Sequence, residues 1–191
     1  MRHFFAVVSL FLLAACSTTG TDQFGFGGGG GGNRTLDAAN DDVGSLVVAF
    51  DLPRGLGPVP TTQLFTFDAA QGGPSEHLRL TMVQANDADL GSQLPPLADG
   101  HAYYFFAIGD NDKARLAAAQ TSARARGLTG QSIQLGIVPK LCTSGQIDPN
   151  ALQVTVLGGI PGQTRMTPFL DHMPLAQVNQ LPGSTQMPAC A

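Results

Sequence analysis

From residue 45 onward the apolar and polar positions fall into short runs separated by turn residues. SLVVAFDL, rich in β-branched and aromatic side chains, predicts a strand at 45–52, and RGLGPVP after it is turn chemistry. TTQLFTFD alternates, with Leu64, Thr66 and Asp68 opposite Gln63, Phe65 and Phe67, and predicts a strand at 61–68. After the turn QGGPS, EHLRLTMV places Leu78, Leu80 and Met82 on one face and His77, Arg79 and Thr81 on the other. NDADLGSQLPPLADG reads as a loop whose Leu90, Leu94 and Leu97 plug an edge of the core. HAYYFFAIG, at 101–109, is a continuous apolar run, as in a central strand buried on both faces.

The pattern then changes period. DNDKARLAAAQTSARARG predicts a helix of about 16 residues over 110–126. Asp110 or Asn111 is expected to cap its start, and acidic residues suit that end of the dipole. Arg124 and Arg126 suit its end, and Gly127 can take the left-handed cap. The apolar side is mostly alanine with Leu116, and the polar side is expected to carry Lys113, Arg115, Gln120 and Arg124. SIQLGIVP and LQVTVLGG predict strands at 132–138 and 152–158, with a turn at SGQIDPN between them. The tail from Ile160 holds five prolines. It is expected to be mostly irregular, with a final strand near 164–170 and a short helix near 173–178.

Six or seven short strands and one helix predict a mainly β fold. The expected architecture is an antiparallel β-sandwich, immunoglobulin- or transthyretin-like in outline, with one inserted α-helix near 110–126. The alternative is an α+β mixed sheet in which the strand 101–108, the helix and the strand 131–138 form a βαβ unit.

The N-terminus follows a different pattern. Arg2 and His3 are basic, Phe4 to Leu13 is apolar except for Ser9, and Leu13-Ala14-Ala15-Cys16 follows. A basic start, a short apolar run and small residues describe a secretory signal peptide, and the run falls short of the ~20 residues a membrane span needs. Cut near Ala15, it could be a plain signal with Cys16 incidental. Leu13-Ala14-Ala15-Cys16, however, resembles the lipobox of bacterial lipoproteins. The resemblance implies cleavage between Ala15 and Cys16, with a diacylglyceryl group on the Cys16 thiol and acylation of its new amino group. Each buried methylene contributes about 0.8 kcal/mol, so two or three acyl chains hold essentially for good. Ser17 is not the aspartate that commonly retains such proteins in the inner membrane. The resemblance therefore favours the outer membrane, facing the periplasm, with the inner membrane or cell surface as other locations. It covers about the first 20 residues and leaves the folded part unassigned.

Residues 1–15 then form a leader, 16–44 a lipidated tether and 45–191 a single β-rich domain. The tether contains Gly27 to Gly32, with no strand before them and no Lys-Ser/Thr after them, so they are no phosphate loop. Such a coil of about 28 residues reaches roughly 30 Å. Phe24 and Phe26 read as part of this linker. Formal net charge is −4, and about −5 once Arg2 leaves with the leader. An acidic chain lacks the electrostatic footprint of nucleic-acid binding, and it has no polybasic patch for anionic lipid beyond Arg124 and Arg126. With Cys16 lipidated, Cys142 and Cys190 remain as an even pair in an oxidising compartment and are expected to form a disulfide.

Candidate chemistry is sparse. His77, His101 and His172 stand far apart, without the spacing of a metal site, and the sequence has neither G-x-S-x-G nor S-x-x-K. Asp110, Asn111 and Asp112 lack the calcium-loop pattern, as do Asp87 and Asp89, and Asp37, Asp41 and Asp42. No catalytic residue, metal ligand or cofactor beyond the lipid on Cys16 is assigned. The expected function is a non-enzymatic binding or scaffolding role in the cell envelope, with an envelope protein or cell-wall polymer as partner. The alternative is a tethered periplasmic hydrolase of a cell-wall polymer. It would require two of His77, His101, His172, Asp110 and Asp171 to meet in a pocket.

Overall fold

A computed structural model describes residues 36–59, 63–69, 76–86, 90, 93–180 and 187–190. The leader, Ala15, Cys16, the glycine run, Phe24, Phe26, Asp87 and Asp89 lie outside the described residues. Within them the chain forms β1 (Val47–Pro53), β2 (Leu56–Pro58), β3 (Leu64–Ala69), β4 (Glu76–Gln84), β5 (His101–Ile108), α1 (Asp110–Ala125), β6 (Ile133–Val138), β7 (Leu141–Thr143), β8 (Gln153–Gly159), β9 (Thr167–Pro174) and α2 (Leu175–Val178). Six of the seven longer strands coincide with predicted ones, whereas β9 is displaced toward the C-terminus from the strand expected near 164–170. β2 and β7 are additional: β2 arises in the segment that reads as a turn, and β7 lies just before the turn at SGQIDPN.

The fold is mainly β and antiparallel. Seven strands run in the order β6-β3-β4-β5-β1-β8-β9, and β2 pairs with β7. β4 is the joint. Glu76 to Thr81 pair with β3, whereas Met82 to Gln84 pair with β5. The β6-β3-β4 half thus folds over the rest, and Phe65, Phe67 and Leu135 share one core with Phe50, Phe106 and Val156. This is the sandwich that the alternation predicts, because each strand has one apolar face to bury. The βαβ alternative is not formed. β6 is an edge strand that pairs antiparallel with β3, three strands away from β5.

The chain enters α1 directly from β5, so the cap is Gly109 in an extended conformation and no side chain caps the helix. Asp110 instead pairs with Lys113 at 2.7 Å, and Asp112 accepts the Thr81 N–H at 2.8 Å. The end of α1 follows the sequence reading. Gly127 has φ 72°, and its N–H and that of Leu128 bond to the Arg124 and Ala123 carbonyls at 2.9 and 3.0 Å.

Two expectations are corrected near this helix. The folded unit begins by Leu36, ahead of Ser45: Leu36, Ala38, Ala39 and Val43 are buried in the core. Of the residues expected on the exposed polar face, Lys113, Arg115 and Arg124 are exposed but Gln120 is buried. Gln120, 6% exposed, donates to the Ala38 and Asp41 carbonyls at 2.9 and 3.0 Å, and Arg124 donates to the Ala39 carbonyl at 2.9 Å. The segment 36–46 lies along that side of α1, and its turn leaves carbonyls that need donors.

The outer face of the large sheet carries a second apolar cluster of Ala49, Leu90, Phe105, Leu157 and Met166, with Leu94 packed against it. Leu90 and Leu94 therefore cover a sheet face, away from the edge, and Leu97 is 44% exposed. This cluster is why β5 reads as apolar throughout. Phe106 and Ile108 face the sandwich interior and Phe105 faces the cluster.

Candidate functional site

The disulfide is formed between Cys142 and Cys190 (S–S 2.11 Å). Around it the C-terminal residues add to β7 in a parallel bridge between Thr143 and Ala189. The Thr143 N–H donates to the Pro188 carbonyl at 3.0 Å, and the Cys190 N–H to the Thr143 carbonyl at 2.9 Å. Gly57 stands opposite Cys142 in the β2–β7 ladder, beside both sulfurs.

Each of the three described histidines holds its own aspartate. His77 and Asp68 face each other across β4 and β3 and bond through Nδ1. The His101 Nδ1 lies 2.6 Å from Asp51 Oδ1, with the side chains 27% and 17% exposed. His172 and Asp171 are also 2.6 Å apart but stand 73% and 68% exposed. The histidines do not meet one another and Asp110 is engaged with Lys113 on the helix, but of the five residues named for a hydrolase His172 and Asp171 do meet, and both line a surface groove. Among the described residues, no three His, Cys, Asp or Glu side chains converge as a metal site would need.

Asp51 lines a groove of about 730 Å³ on the outer face of β1 and β8. Its floor follows from strand register. Asp51 pairs with Thr155, and Ala49 pairs with Leu157, so Asp51, Thr155 and Leu157 share one face. One wall is the segment 93–98. Tyr103 ties it down by donating to the Pro95 carbonyl at 3.1 Å, and the Met166 N–H donates to the Gln93 carbonyl at 3.1 Å.

The other wall is 164–172. Between Val154 and Val156 of β8, the β9 partners jump from Met173 to Leu170, a bulge with an extra residue. His172 sits there at φ 48°, its N–H donating to Thr155 Oγ1 at 3.1 Å. Bulges re-aim side chains, and this one turns both Asp171 and His172 to the groove. Burial first and the Asp51 charge second push the Tyr103 hydroxyl above its usual range, which keeps it a donor to Pro95.

Gly158 and Gly159 let both faces of β8 pack closely. A Cβ on Gly158 would run into the Phe169 ring in the main core, and one on Gly159 would meet Met166 Cγ and Gln93 Oε1 at 3.1 and 3.2 Å. Gln93 is 9% exposed, and its Oε1 has no hydrogen-bond donor.

A second cavity of about 720 Å³ lies on the other side of His101, lined by Tyr104, Phe106, Leu56, the disulfide and Ser144. Ser144 Oγ donates to the Gly55 carbonyl at 3.4 Å.

Of the site residues expected from sequence, the structure places Cys142 and Cys190 together. It also assembles a groove that sequence reasoning missed. One signal was available: Asp51 interrupts the otherwise apolar SLVVAFDL, an uncommon place for a carboxylate unless it has a partner. The partner His101 comes from another strand. No family model, curated protein or solved structure matches the chain. Among the described residues no helix is long and apolar enough to cross a membrane.

Proposed function

We propose that this chain is a bacterial outer-membrane lipoprotein, held by acyl chains on Cys16 and facing the periplasm, whose β-sandwich binds a component of the envelope. The anchor rests on the lipobox-like Leu13-Ala14-Ala15-Cys16. The binding role rests on the outer-face groove. It is a concave site on rigid strands, with an apolar bed and a few placed polar groups, as ligand sites usually have. The partner is a cell-wall polymer or an envelope protein that meets the groove, and the role is to hold it near the membrane.

Cys16→Ser is expected to release the protein into the soluble periplasmic fraction or leave it uncut. Normal processing with full membrane retention would refute the anchor. Co-sedimentation of the protein with purified peptidoglycan sacculi, and cross-linking in intact cells, test the binding role. A Thr155→Trp variant, which fills the floor of the groove, is expected to abolish whichever interaction is seen.

A tethered hydrolase is the second reading. It is favoured by His101, whose Nδ1 is held by Asp51 as a general base is held by an orienting carboxylate, in a cavity that Ser144 also lines. Release of labelled fragments from sacculi, lost in His101→Ala, would support it. Equal release by the variant would remove it.

A further inference from the structure

We infer that residues 187–190 are a strap across the second cavity, latched by the Cys142–Cys190 bond and released when a dithiol reduces that bond. This device is separate from the outer-face groove. The cavity, of about 720 Å³, lies between two layers. One wall is the interior face of the large sheet. Leu52 pairs with Ala102 and Phe50 with Tyr104, so Leu52, Ala102 and Tyr104 share the core-facing side. The opposite wall is β2 together with Cys142 and Cys190. The β2–β7 ribbon and the strap beside it therefore bridge the gap over the sheet.

Ribbon and strap are held differently. The ribbon is rooted in the core by Leu56 and Leu141, each 4% exposed, and the Ser144 N–H donates to the Gly55 carbonyl at 3.0 Å. The strap has its two backbone bonds to Thr143 and one partly buried side chain, Met187, against the core. Pro188 and Ala189 are exposed. A backbone hydrogen bond in water gains less, net, than fixing one residue costs in entropy, and the strap orders four residues for two such bonds. The covalent bond makes up the difference. Cutting it leaves the ribbon in place and frees the strap.

The bond is also within reach. Both cysteines line the cavity, and Cys190 is partly exposed whereas Cys142 is buried. A thiolate of the dithiol attacks Cys190 Sγ, the sulfur–sulfur bond breaks, and Cys142 leaves as a thiolate that takes up a proton. The second thiolate of the dithiol then displaces Cys190 from the mixed disulfide. The two cysteines gain two electrons and two protons, and the dithiol loses them as it becomes a disulfide.

The test uses the full-length protein in detergent. Tyr103 and Tyr104 are its two tyrosines and it has no tryptophan, so Tyr103→Phe leaves Tyr104 as the fluorescent reporter on the cavity wall. Dithiothreitol is expected to reduce the bond while the cooperative melt is retained. Acrylamide quenching of Tyr104 should then rise at least about twofold. In the wild type, exchange of the Thr143 and Cys190 amide hydrogens should rise at least about tenfold, with β1 and β5 still protected. Cys142→Ser/Cys190→Ser should show the open values without reductant and no response to it.

Reduction that occurs only as the protein unfolds, followed by thiol labelling against loss of β-sheet dichroism, overturns the switch and leaves a structural disulfide. Reduction with unchanged exchange overturns it too, because the strap then holds itself. Faster exchange with unchanged Tyr104 quenching removes the gating of the cavity. Should Tyr103→Phe unfold, exchange in the wild type alone decides whether the strap is released.

Discussion

At the scale of single residues, Gly158 and Tyr103 carry the sharpest consequences. Gly158 lies under the Phe169 ring in the main core, and a Cβ there would come within 2.1 Å of the ring. Gly158→Ala is expected to destabilise by about 1–3 kcal/mol through overpacking, read as a lower melting temperature. Gly159→Ala meets only flexible Met166 and Gln93 atoms and should cost less. For Tyr103, burial and then the Asp51 charge raise the hydroxyl pKa. The folded chain therefore holds this proton to higher pH than the unfolded chain. The stabilising contribution is complete below about pH 10 and is lost as pH rises through the folded pKa. Ultraviolet titration of the phenol should place Tyr103 above its ordinary value. Asp51→Asn should bring it part of the way down, since burial, the larger cause, remains. A titration unchanged by Asp51→Asn would contradict that account.

At the scale of elements, α1 is more than a connection between β5 and β6. Leu116, Ala119 and Ala123 pack on the core, and Gln120 and Arg124 hold the turn at 37–41. That turn is further closed by the Asp37 N–H donating to Asp41 Oδ2 at 2.7 Å. Gln120→Leu removes two buried donors and leaves the Ala38 and Asp41 carbonyls without them, a loss of about 1–3 kcal/mol. Hydrogen exchange should accelerate across 37–46 while the sheet stays protected. Equal exchange in variant and wild type would show that the turn holds itself. The helix was legible from its alanines, its Arg-rich end and Gly127, because those signals are local. The true use of Gln120 was not, because its partners lie some eighty residues away in a segment that reads as linker.

Across the whole molecule, the Cys142–Cys190 disulfide ties the proline-rich tail back to β7 and spans 48 residues. In the chain-entropy model such a loop contributes up to about 4 kcal/mol. Cys142→Ser should lower the melting temperature, leave Cys190 open to alkylation and expose the C-terminal residues to proteolysis. A wild-type protein whose two thiols react before reduction would contradict the bond.

The same scale separates what sequence and tertiary structure each decided. The sequence by itself determined the positions of six of the longer strands and the helix, the mainly β class and the pairing of the two cysteines. Those follow from side-chain periodicity, from local turn and cap chemistry, and from an even cysteine count. Tertiary structure alone decided that 36–44 joins the core, that β2 pairs with β7, and that Asp51, Gln93, Asp171 and His172 share one groove. Register between distant strands and one bulge set those juxtapositions, and neither leaves a mark within the short window over which a sequence shows its period.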